Sequence, residues 1–360
     1  MTGLYLHIPF CRSKCAYCDF ASYAGREELI DSYLDALERE SKAYAQTWRG
    51  AFSTLYIGGG TPSLLSSGQL KRLFSSLKKN LAGEQAFKES TFEANCESLN
   101  AEKLSVLADS GIGRLSLGLQ SADNRLLKRL GRPADFETFL RAFEAARKAG
   151  FKNMNIDLMS ALPEQSGNDF AKSLEETVKL SPEHISLYAL EVHENTDFFR
   201  QGAAENPDTS AEMYELAENR LSLAGYSRYE ISNFARPGME SLHNLNYWEQ
   251  GSYLGLGCAA ASYLNGTRWN NTRDLDVYIK TSPVPSENRE TLSGRAKLAE
   301  RLMLGLRKTA GIEIDNDIIK EFSGELDRLL GLGLIEWTGH IVKIRSDKLY
   351  LSNAVFREFV

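Results

Sequence analysis

The chain has 360 residues, of which 42% are hydrophobic and 25% charged, with a formal net charge of -6 at pH 7. That balance argues against a polyanion as the main partner, so nucleic acid is not expected. No apolar run is long enough to span a bilayer, and the N-terminus shows neither a basic n-region nor a cleavable apolar segment, which predicts a cytoplasmic protein.

The first element is a strand. Leu4-Tyr-Leu-His-Ile8 alternates as a strand does and runs straight into Cys11-Arg-Ser-Lys-Cys15-Ala-Tyr-Cys18, which packs three of the five cysteines into eight residues. Asp31 to Tyr44 then reads as an amphipathic helix with Tyr33, Leu34, Leu37 and Ser41 on one stripe. Strand Thr54 to Ile57 is followed by Gly58-Gly-Gly-Thr-Pro62 and helix Gln69 to Leu81. Strand Ser90 to Ala94, helix Ala101 to Asp109, strand Arg114 to Leu119 and helix Phe136 to Ala149 come next. Strand Asn153 to Met159, helix Asn168 to Leu180, strand His184 to Leu190 and helix Ala211 to Ala224 complete the alternation. Gly111, Gly150 and Gly225 each stand just past a helix end, where a left-handed cap suits glycine.

About six βα units predict an α/β fold with a parallel sheet and right-handed crossovers, either doubly wound or a partial barrel. Polar or glycine-rich residues stand at the C-terminal ends of most strands: the Cys11 loop, Gly58 to Thr61, Glu93, Gln120 and Asp157. A barrel gathers those ends into one mouth, which favours a partial (βα)6 TIM-like barrel over residues 1–230. Glu194 to Ser210 reads as a polar loop, residues 231–284 as a connecting segment, and Thr281 to Asn288 as a linker. Beyond it, helices Ser293 to Lys308 and Asp317 to Leu330 precede a hairpin, Leu334 to Trp337 with Ile341 to Ile344. This predicts a helical, winged-helix-like domain over residues 285–360, and its lack of a concentrated basic face speaks against DNA binding.

Three clustered cysteines in a cytoplasmic chain point to metal or redox chemistry. A structural zinc site wants four protein ligands, but Cys96 and Cys258 lie far off in apolar settings. A cubane iron–sulfur cluster on three thiolates keeps one iron open. C-x3-C-x2-C resembles the signature of the radical S-adenosylmethionine (SAM) superfamily, in which that iron takes the amino and carboxylate groups of the methionine portion. The Gly-Gly-Thr run occupies the place of that superfamily's glycine stretch after the second strand; taken alone it reads equally as a turn. Glu93, Gln120, Arg132 and Asp157 offer a carboxylate for ribose hydroxyls and an amide or guanidinium for a carboxylate. Tyr5 or Tyr17 offers a π-face for an adenine.

Tyr5-Leu-His-Ile-Pro-Phe-Cys11, Ile57-Gly-Gly-Gly-Thr-Pro62, Arg114-Leu-Ser-Leu-Gly-Leu-Gln120, Asn155-Ile-Asp157 and Arg228-Tyr-Glu-Ile-Ser-Asn-Phe-Ala-Arg-Pro-Gly238 resemble oxygen-independent coproporphyrinogen III oxidase and its relatives. His243-Asn-Leu-Asn-Tyr-Trp248 and Leu302-Met-Leu-Gly-Leu-Arg307 extend the match. The resemblance implies a [4Fe-4S] cluster on Cys11, Cys15 and Cys18, with SAM contacts at Tyr5, Gly59, Gly60, Thr61, Glu93, Gln120, Arg132 and Asp157. The oxidases carry a further cysteine where this chain has Phe20, and an extension ahead of the first strand. Both absences are shared with the HemW-type haem chaperones, as is the HNxxYW motif. That branch implies a haem chaperone without coproporphyrinogen dehydrogenase activity, with haem as a third ligand and apo-haemoproteins, respiratory-chain enzymes among them, as partners. It leaves room for a homodimer and for transient membrane association. His243 is then a candidate axial ligand, with Tyr247 and Trp248 near the porphyrin; read without the resemblance, it caps a turn equally well. Gly251 to Gly257, next to Cys258, either closes that pocket or forms a tight turn. The alternative branch is a coproporphyrinogen III dehydrogenase working through a 5′-deoxyadenosyl radical.

Overall fold

The computed structural model describes residues 1–83, 86–283 and 287–360. β1 (Thr2–Ile8) leads into β2 (Phe10–Cys11), which pairs with β3 (Tyr23–Ala24) and so closes the cysteine loop on itself. Helices and strands then alternate: α1 (Ile30–Trp48), β4 (Thr54–Gly59), α2 (Ser67–Leu77), β5 (Glu89–Ala94), α3 (Ala101–Asp109), β6 (Arg114–Gln120), α4 (Asn124–Arg129), α5 (Phe136–Lys148), β7 (Asn153–Ser160), α6 (Gly167–Lys179) and β8 (His184–Ala189). Six strands lie parallel in the order β1-β4-β5-β6-β7-β8. Spatial order follows chain order, the winding of a (βα) barrel; a doubly wound sheet reverses at a switch point.

Local chemistry explains these elements. β6 is buried along its whole length, with Leu115, Leu117 and Leu119 alternating with Arg114, Ser116, Gly118 and Gln120. α1 buries Ile30, Tyr33, Leu34, Leu37 and Ser41, the stripe the sequence predicts. Ser66 with Gln69, and Ser166 with Asp169, form reciprocal capping boxes that fix where α2 and α6 begin. Gly150 ends α5 at φ +97°, a conformation in which a Cβ would be strained.

The second half departs from the sequence reading. The expected polar loop 194–210 contains α7 (Asp197–Arg200) and the first turn of α8 (Pro207–Leu223). After it come β9 (Ser227–Arg228), β10 (Asn233–Ala235), α9 (Leu242–Trp248), β11 (Ser252–Leu256), β12 (Ala261–Leu264), β13 (Thr267–Asn270), α10 (Leu275–Thr281) and β14 (Glu287–Thr291). All six strands join the main sheet, whose full order is β14-β13-β12-β11-β1-β4-β5-β6-β7-β8-β10-β9. Residues 251–257, expected as a turn or a pocket-closing loop, hold β11, which runs parallel to β1 from Thr2↔Ser252 to Leu6↔Leu256. The barrel is therefore partial: β1 meets β11, not β8, and the curved sheet stays open. Of the expected linker 281–288, residues 284–286 lie outside the described residues, while Thr281 closes α10 and Glu287 opens β14.

α11 (Gly294–Gly305), β15 (Ile312–Glu313), α12 (Asn316–Gly331), β16 (Ile335–Thr338), β17 (Ile341–Ile344) and α13 (Ser352–Phe356) form the helical, winged-helix-like C-terminal domain. Its hairpin gains a third strand, in the order β15-β17-β16. It buries a core of its own around Leu302, Ile318, Phe322, Leu326 and Val342, distinct from the large core under the main sheet. Among the described residues no helix is long and apolar enough to cross a membrane.

Candidate cofactor cavity at the barrel mouth

The cysteine loop is held from several sides. The Tyr23 amide donates to Pro9 O at 2.7 Å, and His7 Nε2 bonds Ala21 O at 2.8 Å. Ala16 donates to Leu130 O at 3.0 Å and accepts from the Phe198 amide at 2.9 Å, which ties the loop to the barrel rim. Cys11, Cys15 and Cys18 are free thiols, each partly buried. Burial pushes the Cys11 and Cys18 thiols up, opposed at Cys11 by the Thr61 hydroxyl, which donates to Sγ at 3.5 Å. Among the described residues no three His, Cys, Asp or Glu side chains converge as a single-ion site requires, so the cysteines are not arranged as a closed zinc tetrahedron.

The glycine run passes close beneath this loop. Gly60 N–H donates to Ile8 O at 2.9 Å and Thr61 N–H to Phe10 O at 2.8 Å. A Cβ on Gly60 would stand 2.7 Å from Phe10 O and 3.0 Å from Cys11 Sγ, and one on Gly58 would stand 2.6 Å from Glu93 Oε2. Glycine is required here because backbone and cysteine loop share that space.

The remaining polar groups come from successive strand ends. Glu93 accepts the Tyr56 hydroxyl at 2.6 Å and the Gly59 amide at 3.2 Å, and burial pushes its carboxyl up to about 7. Gln120 takes φ +71° beside a register shift between β6 and β7, which turns its side chain at the strand's end. Arg132 follows α4, a helix absent from the sequence reading; its Nη2 donates to Gly118 O at 2.8 Å and Asn95 Oδ1 at 3.0 Å. Asp157 accepts from Asn155 Nδ2 at 2.7 Å and from the Ser116 hydroxyl at 3.4 Å, and burial raises its pKa.

All of these residues face one cavity of about 640 Å³. Cys11, Cys15, Cys18, Gly59, Gly60, Thr61, Glu93, Gln120, Arg132 and Asp157 line it, and Tyr17 does too. Residues not singled out from sequence join them: Asn95 and Asn155, which orient Arg132 and Asp157, and two arginines. Arg114 is 3% exposed with no hydrogen-bond partner for Nε. Arg307 arrives from the C-terminal domain and stacks 4.4 Å over the Trp248 ring. Arg114 opens strand β6 and Arg307 follows the apolar run Leu302-Met-Leu-Gly-Leu, so each borders an apolar stretch, a signal the sequence does carry.

Two expected site residues lie elsewhere. Tyr5 bonds His7 Nδ1 through its hydroxyl at 2.9 Å and lines a second chamber of about 600 Å³. That chamber is walled by Tyr247, Trp248, Tyr253, Tyr263, Met303 and Leu304, among others. His243, 1% exposed, lines neither. Its Nδ1 meets Thr54 Oγ1 and its Nε2 meets the Tyr247 hydroxyl, both at 2.8 Å. Burial presses its pKa down to about 3, so the ring is neutral at physiological pH.

Residues 5–177 match the family model of the radical SAM superfamily. The chain is similar to the haem chaperone HemW of Bacillus subtilis, 36% identical over 100% of this chain and 99% of that protein. It is also similar to HemW of Escherichia coli, 38% identical over 72% of this chain and 69% of that protein. Among solved structures, coproporphyrinogen III oxidase of E. coli superposes with a TM-score of 0.87 at 24% identity, covering 99% of this chain and 89% of that one, and so shares the fold.

Proposed function

The chain belongs to the HemW family within the radical SAM superfamily, and from that membership we propose that it is a haem chaperone that carries a [4Fe-4S] cluster and SAM and delivers haem to apo-haemoproteins, respiratory enzymes among them. The observation that supports this most is the meeting of three partly buried cysteines with Gly59, Gly60, Glu93, Arg132 and Asp157 on one cavity.

The residues present fit the two cofactors. Three thiols on one loop, with no fourth cysteine beside them among the described residues, suit a cubane, and the space a Gly60 Cβ would fill next to Cys11 Sγ is kept clear. A cluster bound by Cys11, Cys15 and Cys18 supplies an open iron for the amino and carboxylate groups of SAM. Gly59 and Gly60 let the backbone come close to that end of the ligand. Arg132 offers its remaining guanidinium hydrogens to a carboxylate, with Asn95 and Gly118 fixing its angle. Glu93 and Asp157 accept hydroxyl hydrogens, and Gln120 offers an amide. Tyr5 acts at one remove, by positioning His7 against the cysteine loop.

For haem, His243 is the proposed axial ligand, presented once the Tyr247 hydroxyl has left Nε2. Burial already holds the imidazole in the neutral form that metals take. The cytoplasm is the proposed compartment, and homodimerisation and transient contact with a membrane belong to the same proposal.

The test is anaerobic reconstitution with iron and sulfide, followed by haem titration with and without SAM, read by visible absorption. The reading requires a cluster band, a Soret shift on haem addition and haem transfer to an acceptor. Multiple-turnover formation of protoporphyrinogen IX from coproporphyrinogen III would instead establish the dehydrogenase alternative.

A further inference from the structure

The second chamber and the pair His243–Tyr247 belong together. Both residues are on α9, four positions apart, so their side chains stack on one face of the helix. The rings meet edge-on, 4.9 Å between centroids at 83°. Tyr247 then turns its other side to the chamber, where it packs edge-on against Tyr253 at 4.6 Å. It is the partition between a buried imidazole and a largely apolar space of about 600 Å³. Thr54 bonds Nδ1 at 2.8 Å, so in the tautomer that donates from Nδ1, the Nε2 lone pair receives the Tyr247 O–H.

We propose that the chamber seats the porphyrin face of haem and that the Tyr247 hydroxyl is a built-in competitor of the iron for His243 Nε2. This rests on the haem-chaperone reading above. One lone pair serves two partners: the iron takes Nε2 only when the phenol swings away, and the returning phenol helps expel the iron. A carrier that must give up its cargo gains from a closed state with its own satisfied hydrogen bond. The cost of breaking that bond is subtracted from haem affinity. The aromatic walls Tyr253, Tyr263 and Trp248 offer flat surfaces to a macrocycle, and Met303 and Leu304 of the α11 region close the far side.

The experiment compares full-length, cluster-reconstituted wild type with Tyr247→Phe, His243→Ala and Met303→Trp. Each is titrated with haem by Soret absorbance, and haem is then chased into excess apo-globin. Tyr247→Phe is expected to bind haem roughly two- to tenfold more tightly and to release it more slowly by a similar factor, the range of one hydrogen bond. Met303→Trp, which fills the chamber, is expected to weaken haem binding at least tenfold and leave SAM binding unchanged. Unchanged or weaker binding in Tyr247→Phe overturns the competitor role, and complete loss would make the phenol oxygen the ligand instead. Undiminished haem binding in a folded Met303→Trp, or in Leu304→Trp should the first not fold, overturns the seat. Unaltered binding in His243→Ala would instead remove the reading on which this inference rests.

Discussion

Glu89, the first residue of β5, accepts the backbone amide of His243 at 3.0 Å. The same carboxylate accepts from the Leu242 amide at 2.9 Å and the Ser241 hydroxyl at 3.3 Å, so one buried anion satisfies the N-terminus of α9. Glu89→Ala strands those donors in the interior and is expected to destabilise the protein by about 2 kcal/mol, with Glu89→Gln losing about half as much. Urea unfolding of the two variants against wild type measures this, and a change within error for Glu89→Ala contradicts the capping role.

Replacing Cys11, Cys15 or Cys18 singly by Ser is expected to abolish cluster formation. Cys96→Ala and Cys258→Ala should leave it intact, because both residues are buried away from the cavity. Iron and sulfide analysis after identical reconstitution separates the two groups; a Cys96 or Cys258 variant without iron would contradict the three-ligand assignment.

Arg132 keeps a fixed orientation by donating to Asn95 and Gly118 while the rest of its fork faces the cavity. A lysine there carries the charge but not the planar geometry. Arg132→Lys is expected to weaken SAM binding roughly tenfold, measured by calorimetry on the reconstituted protein. Wild-type affinity in this variant would remove Arg132 from the cofactor site.

Glu40 supplies a pH test. It is 2% exposed and accepts from Tyr278 at 2.6 Å, Asn271 at 2.7 Å and the Gly257 amide at 2.8 Å. Burial nevertheless pushes its pKa up to about 7, from 4.5 in the unfolded chain. Between those values the folded state holds a proton that the unfolded state has released. Stability therefore declines as pH rises from about 4.5 to about 7 and then levels off. Glu40→Gln removes this component, on the order of 3 kcal/mol, from the pH dependence of the cofactor-free protein. Chemical denaturation at pH 5 and pH 8 tests it, and parallel profiles for the two proteins would rule it out.

The barrel was legible because strand-like and helix-like segments alternate along the chain, with polar or glycine-rich residues marking the C-terminal ends of most strands. Cys11, the Gly58 to Thr61 run, Glu93, Gln120 and Asp157 could be named that way, at or near strand C-terminal ends that the winding order brings to the mouth, whereas Arg132, which follows α4, was reached through the family resemblance. Strands β9 to β14 were not legible. They are two to five residues long, and β9, β10, β12, β13 and β14 pair only antiparallel. Their partners are chosen by tertiary contact, as when Glu40 of α1 accepts the amide of Gly257 just beyond β11. Tyr5 and His243 show the same limit at the site. A motif names a residue but not the hydrogen bond that turns it, here His7 for one and Tyr247 for the other.

The placement of β11 beside β1 also sets an order of assembly. On a ribosome, the segment bearing the cysteines emerges well before residues 252–256, so one flank of its supporting strand stays bare until those residues have been made. An exposed strand edge invites wrong pairing, so a chain cut short before that point would present an unsupported thiol loop beside a sticky margin. Loading of the proposed cluster is therefore expected only after translation has delivered the strand that locks the nest.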